Sequence, residues 1–589
     1  MATIAVADND VLLGAPPPDI SDRQVRPGLA VRASQALLSA SLLGFLLHWR
    51  YGYGAGKVDH WILSPQGLNW ADPTKFSNDW ILQNAPQPHW FFDVVTWFGA
   101  TIDQLGAVYF LYWAISLVVF GAATVLLAHK WAPVHPWVAT VLVTMLGGIT
   151  PWWLLGTGSP MLAIALPGVL AGFLMYLLLA ALLTGQYRMA GIVAVVTAIV
   201  HVQQGGVAAA LLVAVAVVQF VRNRRIDWWL AGSAVASLGI MFAALKARPV
   251  AGNPDDFAQA CQKLIPYHCE ATSWPSLVLW QGIAMVGLAL LSVLYMTRRS
   301  WPVWAATLGL SAFGLLVGVT VDRWDVPTLG VLAQGLNIYR LDVLLMPFAV
   351  WGVLLPVLGR FKEWQRWVLL GVVLFLGFHV VGMDFYESAY PLDRPHGGPW
   401  MAVFAFALTV ACAWASRTKA AVRVAATAMA LSIALSMIDS PSIKLKALDA
   451  TFIQDDDLRE WGEAVQRVVP PGQQLIAPPL AMHMRLATAR GVLADCKGGP
   501  YGGPAWQDYQ DRIEDLGGFD QCLNTRPEVY QTLTTDRIEM IARRYGMRFV
   551  VFEGDDNTAV AGLRRQGWRE VLGPHGSVNN RVYQAPWHE

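Results

Sequence analysis

Between Lys130 and Arg188 the chain contains no Asp, Glu, Lys or Arg, an uncharged stretch of 57 residues (131–187). No single core helix of a soluble protein is that long, whereas a helix crosses roughly 30 Å of hydrocarbon with about 20 apolar residues. The stretch must therefore fold back through a bilayer. Composition extends this inference to the whole chain: hydrophobic residues make up 55% and charged residues 14%, against about 25% charged in an average soluble protein. A soluble disordered or collagen-like chain is excluded. The formal net charge of +1 leaves no basic field of the kind that draws nucleic acid, so no nucleic-acid partner is expected.

Apolar runs bounded by charged or turn residues predict about thirteen crossings, at 30–49, 105–128, 136–155, 161–183, 189–203, 206–221, 228–246, 275–297, 302–321, 338–358, 367–383, 399–416 and 421–438. With a cytoplasmic N-terminus, basic residues gather in the inner connections: Lys130; Arg188; Arg222, Arg224 and Arg225; Arg298 and Arg299; Arg360, Lys362 and Arg366; Arg417 and Lys419. The short runs 189–203 and 206–221 are read as a hairpin turning at QQGG (203–206). Fusing them would set Arg188 and Arg222 on opposite sides and invert everything downstream. Residues 1–28 lack a basic stretch followed by an apolar core and cleavage site, and are expected as a disordered cytoplasmic tail rather than a signal peptide.

The expected fold class is thus a polytopic α-helical membrane protein (29–439) of the plasma (inner) membrane, followed by a soluble extracytoplasmic α/β domain (440–589). In that last part DDDLREWGEAVQRVV, DRIEMIARRYG and AVAGLRRQGW read as helices, and PPGQQLIAPP and RFVVFEG lead into strands. Neither a GxGxxG fingerprint, a Walker loop nor a GxSxG elbow occurs, so nucleotide binding and serine hydrolysis have no motif support. Cysteine usage fits an oxidising compartment. Cys412 falls inside a span, Cys261 and Cys269 share the outer loop 247–274, and Cys496 and Cys522 lie in the tail. Two disulfides would account for these four; four free thiols are the alternative.

The inner loops are short, so chemistry is expected on the outer face. The first outer loop, 50–104, carries Asp59, His60, Asp72, Asp79, His89 and Asp93 among many tryptophans. Interleaved aromatic and acidic residues suit a loop whose apolar faces lie among lipid headgroups, and they also suit sugar recognition. Asp59 follows the first span within about ten residues, where a carboxylate faces solvent or a site at the membrane surface. The loop 247–274 holds PYHC, in which a Cys261–Cys269 bridge would fix the direction of His268; zinc would require a fourth ligand at a familiar spacing. Arg340, in QGLNIYRLDVLLMPF, stands near the outer end of the tenth span. Its fork matches phosphate oxygens, or else it snorkels or pairs with Asp342. CKGGPYGGPAWQDYQDR (496–512) reads as a loop facing the membrane, with Lys497, Trp506 and Arg512 as substrate contacts, or as a surface turn stapled by Cys496.

The long first outer loop with an acidic residue soon after span one (VDHW, Asp59), a further Asp (SNDW, Asp79) and an Arg near an outer helix end (IYR, Arg340) resemble the GT-C class of membrane glycosyltransferases. That class includes the oligosaccharyltransferase catalytic subunit, protein O-mannosyltransferases and actinobacterial arabinosyltransferases. The likeness covers most of the chain as architecture. It departs in having Asp59 followed by His60 where an acidic pair is usual, and in lacking a WWDYG-type motif. The resemblance implies an inverting transfer of sugar from a polyprenyl-phosphate donor to a cell-envelope glycan, lipid or protein acceptor. Asp59 would be the general base, Arg340 with His268 would meet the departing phosphate, and Asp79 or His60 would orient the acceptor or hold a divalent cation, Mg or Mn. Two other readings are a non-catalytic transporter or flippase, and a polymerase or ligase of cell-envelope polysaccharide.

Overall fold

A computed structural model describes residues 28–85, 88–132, 136–149, 160–247, 254–270, 273–274, 276–297, 300–324, 338–345, 347–352, 355, 449–500, 503–523, 525–554 and 557–587. The expected tail through residue 27 and the runs 367–383, 399–416 and 421–438 lie outside the described residues. Helices α1 (Leu29–Tyr51), α5 (Leu105–Trp131), α6 (Pro136–Ile149), α7 (Pro167–Leu183), α8 (Tyr187–Val200), α9 (Val202–Asn223), α10 (Trp228–Ala247), α13 (Ser276–Leu291) and α14 (Trp301–Trp324) build the apolar region. Five of them, α1, α5, α9, α10 and α14, are long and apolar enough to cross a bilayer. This is a multi-pass membrane protein. Helix α7 is apolar all round and enclosed nearly all round, as a helix at the centre of a bundle must be. In contrast, α10 presents Trp228, Val235 and Phe242 outward, a face suited to lipid.

Small residues set the closest approaches. A Cβ at Gly121 of α5 would lie 2.2 Å from the carbonyl oxygen of Ala36 on α1, so the two backbones touch, as is usual where helices pack without a hydrophobic driving force. Gly205 explains a difference from expectation. QQGG is not the turn but the first turn of α9; the chain reverses one step earlier, at His201, whose extended backbone (φ −150°, ψ 111°) ends α8 and starts α9. Gly205 then sits where a Cβ would meet Ala198 Cα at 2.4 Å. The glycine serves close packing of the hairpin arms rather than its turn. Two further runs are less regular than expected. Residues 160–166 run ahead of α7, with Ile164 bridging to Gly54. The described residues of the expected run 338–358 give a 3-10 turn (Ile338–Leu344) and a π turn (Pro347–Trp351), and Pro347 has no N–H to continue a helical ladder.

The 50–104 segment is folded, not a loose loop. It forms α2 (His60–Ala71), α3 (Trp80–Asn84) and α4 (Trp90–Thr101). Helix α4 buries Phe92, Asp93, Thr96 and Gly99 and exposes Trp90, Val94, Trp97 and Phe98. Ser64 of α2 and Thr96 of α4 meet on the hydroxyl of Tyr109 of α5, at 2.9 and 2.6 Å. Helices α11 (Pro254–Leu264) and α12 (Pro266–Cys269) follow α10.

The C-terminal part contains α15 (Asp456–Val468), α16 (His483–Thr488), α17 (Gly503–Asp515), α18 (Thr535–Tyr545) and α19 (Val560–Arg565) around a four-stranded sheet of order β1-β2-β4-β3. Strand β1 (Leu475–Ile476) is parallel to β2 (Phe549–Glu553), while β4 (Asn580–Gln584) is antiparallel to both β2 and β3 (Arg569–Leu572). Alternate residues of β2 face opposite ways. Val550 and Phe552 join Trp506, Tyr509 and Ile513, whereas Phe549 and Val551 join Trp461 and Val465. Both cores are completed from the helical region: Ala260 and Leu264 of α11 enter the first, and Ile81 of α3 enters the second. The connecting segment 449–454 lies in direct backbone contact with Gly106 and Gly56, whose Cβ atoms would fall 1.7 Å from Ala450 O and 2.2 Å from Phe452 O.

Candidate functional site

Asp59 stands at the N-terminus of α2, where an aspartate ordinarily accepts a hydrogen bond from a helix N–H. Here its side chain makes no cap. Its Oδ1 instead lies 2.5 Å from the ammonium of Lys497. The residue before it, Val58, has φ +51°, a conformation that is an outlier for a β-branched side chain and belongs with strained, over-determined sites. Gly56 at φ +63° and the bridge from Gly54 to Ile164 fix the approach.

Lys497 comes from a turn of the C-terminal domain that is held from several sides. Asp495 Oδ1 accepts the backbone N–H groups of Lys497 (2.9 Å) and Gly498 (2.6 Å), and Tyr509 donates to the carbonyl of Asp495 at 2.7 Å. Cys496 is joined to Cys522, as its sequence position led one to expect. The ammonium also lies over the Trp61 ring, 5.7 Å from its centroid, within cation–π range. Trp61 is itself fixed: its Nε1–H donates to Gly56 O at 3.0 Å and its ring meets His483 edge-on at 6.2 Å. Burial pushes the His483 imidazole below its ordinary pKa, with Asp455 opposing.

His60 points the other way. Its Nδ1 accepts from Gly56 N–H at 3.0 Å, so the proton resides on Nε2, which donates to Ala165 O at 2.6 Å. The ring is fully enclosed, stacked on Phe92 and tilted against Tyr109. Burial lowers its pKa to about 4, and it stays neutral. Asp79 is enclosed as well. Its Oδ1 caps α3 by accepting from Ile81 N (2.8 Å) and Leu82 N (3.1 Å), and its Oδ2 lies 3.1 Å from Arg485 Nε. Arg485 also reaches Asp495 at 3.4 Å. Burial raises the Asp79 carboxyl, against the pull of Arg485. These two residues hold the 50–104 segment in place.

Among the described residues, no group of three His, Cys, Asp or Glu side chains could hold a metal. Asp59 already faces an ammonium, and Asp79 and His60 are committed to neighbours inside the protein.

His268 lies on α12, half-buried, and Cys261 is disulfide-bonded. The Cys269 side chain lies outside the described residues, as does that of Arg340. The backbone carrying Arg340 is nevertheless placed: α12 packs on the 338–344 turn, and Trp274 meets Tyr339 edge-on at 4.8 Å. The Lys497 turn adjoins the same wall, for a Cβ at Gly499 would touch Leu264 of α11 at 2.6 Å. Two residues of the 496–512 stretch are corrected. Trp506 is not on an open loop but in the domain core, stacked on Tyr509 at 5.7 Å. Arg512 is sandwiched between Trp80 (4.4 Å) and Tyr545 (4.8 Å) and paired with Asp508. Trp61, His483, Arg485 and Asp495 were not expected. Arg485 carried a legible signal, a lone cation in the apolar run MHMRLATA.

No protein-family model and no curated protein matches the chain. Among solved structures it is similar to ArnT from Cupriavidus metallidurans, in the apo state and bound to undecaprenyl phosphate. Each match has 12% identity and a TM-score of 0.45, covering 94% of this chain and 98% of that one.

Proposed function

We propose that this protein is an inverting glycosyltransferase that moves a sugar from a polyprenyl-phosphate donor to a cell-envelope glycan, lipid or protein acceptor at the outer membrane surface. The observation that carries the reading is Asp59: a helix-start carboxylate that leaves its helix uncapped, follows a strained valine, and faces a lysine delivered by a separate domain. A residue held against local preference is a ground for a functional hypothesis.

In this reading the Asp59 carboxylate takes the proton of the acceptor hydroxyl as its oxygen attacks the anomeric carbon. The bond from that carbon to the phosphate oxygen breaks, the electron pair leaves with the lipid phosphate, and configuration inverts. General-base assistance of this kind contributes typically 10²–10⁴-fold. Arg340 and His268, on adjoining segments, would meet the charge that develops on the leaving phosphate.

The test is Asp59→Asn assayed in membranes for sugar release from a radiolabelled polyprenyl-phosphate sugar. Transfer should fall by at least about 100-fold while expression and melting behaviour match the parent. Turnover close to the parent's removes the assignment.

A further inference from the structure

Lys497 and Asp59 are more than four hundred residues apart in sequence, and the lysine is aimed by its backbone, through the Asp495 hydrogen bonds and the Cys496–Cys522 bridge, rather than by a flexible approach. The Lys497 side chain is one-fifth exposed and that of Asp59 two-fifths exposed. A second anion can therefore reach the pair from solvent. A lysine ammonium is a compact charge on rotatable bonds, able to change partners while its backbone stays fixed.

We infer that Lys497 is a contact of the donor's phosphate, and that without donor it is held on Asp59. Arrival of the phosphate draws the ammonium off the carboxylate, which frees Asp59 to accept the acceptor's proton just when a donor is present. The soluble domain thus supplies part of the membrane-surface site and couples donor occupancy to the base. This rests on the role given to Asp59 above.

The experiment uses the full chain in lipid nanodiscs and sugar-free polyprenyl phosphate as the probe, with binding measured for the parent, Lys497→Gln, Lys497→Arg and Asp59→Asn. Lys497→Gln should weaken binding by about tenfold or more, the loss expected for a charge-assisted contact. Lys497→Arg should keep the parent's order of magnitude. Asp59→Asn removes the competing anion and should bind as tightly as the parent or more tightly. A pair that served only as a strut would leave Lys497→Gln binding equal to the parent's, which overturns the inference and leaves the glycosyltransfer reading intact. Weaker binding in Asp59→Asn overturns it too, and does so even where Lys497→Gln fails to fold. A parent protein that binds no polyprenyl phosphate overturns both readings.

Discussion

Arg485 is the side chain on which the junction between the 50–104 segment and the C-terminal domain depends. Its guanidinium stands 3.1 Å from Asp79 and 3.4 Å from Asp495, and the three side chains are 1%, 0% and 3% exposed. At an effective dielectric of about 20, each contact corresponds to roughly 5 kcal/mol of attraction. Repulsion between the carboxylates and desolvation of three ions offset most of this, so the intact triad adds little net stability. Removing the cation is a different matter, because two enclosed carboxylates lose their counter-ion at a cost of about 3–5 kcal/mol. Uptake of a proton by Asp79, already favoured by burial, brings the cost toward the lower end. For a cooperative unit of 150–250 residues, Arg485→Met should lower the melting midpoint by roughly 6–20 °C. Scanning fluorimetry of the purified protein reads this directly. The same variant should expose the backbone at Lys497, since Asp495 holds that turn as well, and trypsin should then cleave there faster. A midpoint within about 2 °C of the parent, with unchanged cleavage, would refute the reasoning.

Two other outcomes follow from enclosed groups. Burial keeps the folded pKa of His60 near 4, against 6.5 ordinarily. Between those values the unfolded chain binds a proton that the folded chain refuses, so stability rises with pH across this window and is lost as pH falls toward its lower end, by up to about 3 kcal/mol. Melting profiles of the parent and His60→Gln should therefore diverge in slope below about pH 6.5, and parallel profiles would count against the enclosed neutral ring. Gly106→Ala places a Cβ 1.7 Å from Ala450 O and should weaken docking of the 449–454 segment by about 1–3 kcal/mol. Hydrogen exchange in that segment should quicken; unchanged protection would contradict the contact.

What could be read from the sequence was what is written locally. Apolar length and charge spacing placed α1, α5, α10 and α14 to within a few residues, and the helical spacing of Leu458, Trp461, Val465 and Val468/Val469 gave α15, on which Trp461 and Val465 are buried while Leu458 is only partly so. Trp506, Tyr509, Ile513 and Leu516 carry the same spacing, yet the surrounding glycines and prolines suggested a loop. Gly205 misled for a related reason: glycine looks the same whether it supplies a turn or lets two helices touch. The site was legible as separate residues. Asp59 and Lys497 were both singled out, but not as a pair, because nothing in either neighbourhood encodes a contact across four hundred residues. Asp79 could not be assigned to a buried triad before Arg485 was in place beside it.

The backbone contact of residues 449–454 with Gly56 and Gly106 also bears on the order of synthesis. The 50–104 segment leaves the ribosome long before the connecting segment that covers it, and at about 5–20 residues per second the delay is roughly 20–80 s. For that interval the helices around Asp59 lack a ceiling, with Ile81 and the Asp79 carboxylate uncovered. Biogenesis of this chain is therefore a matter of keeping an early segment unspent until its last quarter arrives, and chaperones on that side of the membrane would find their substrate there.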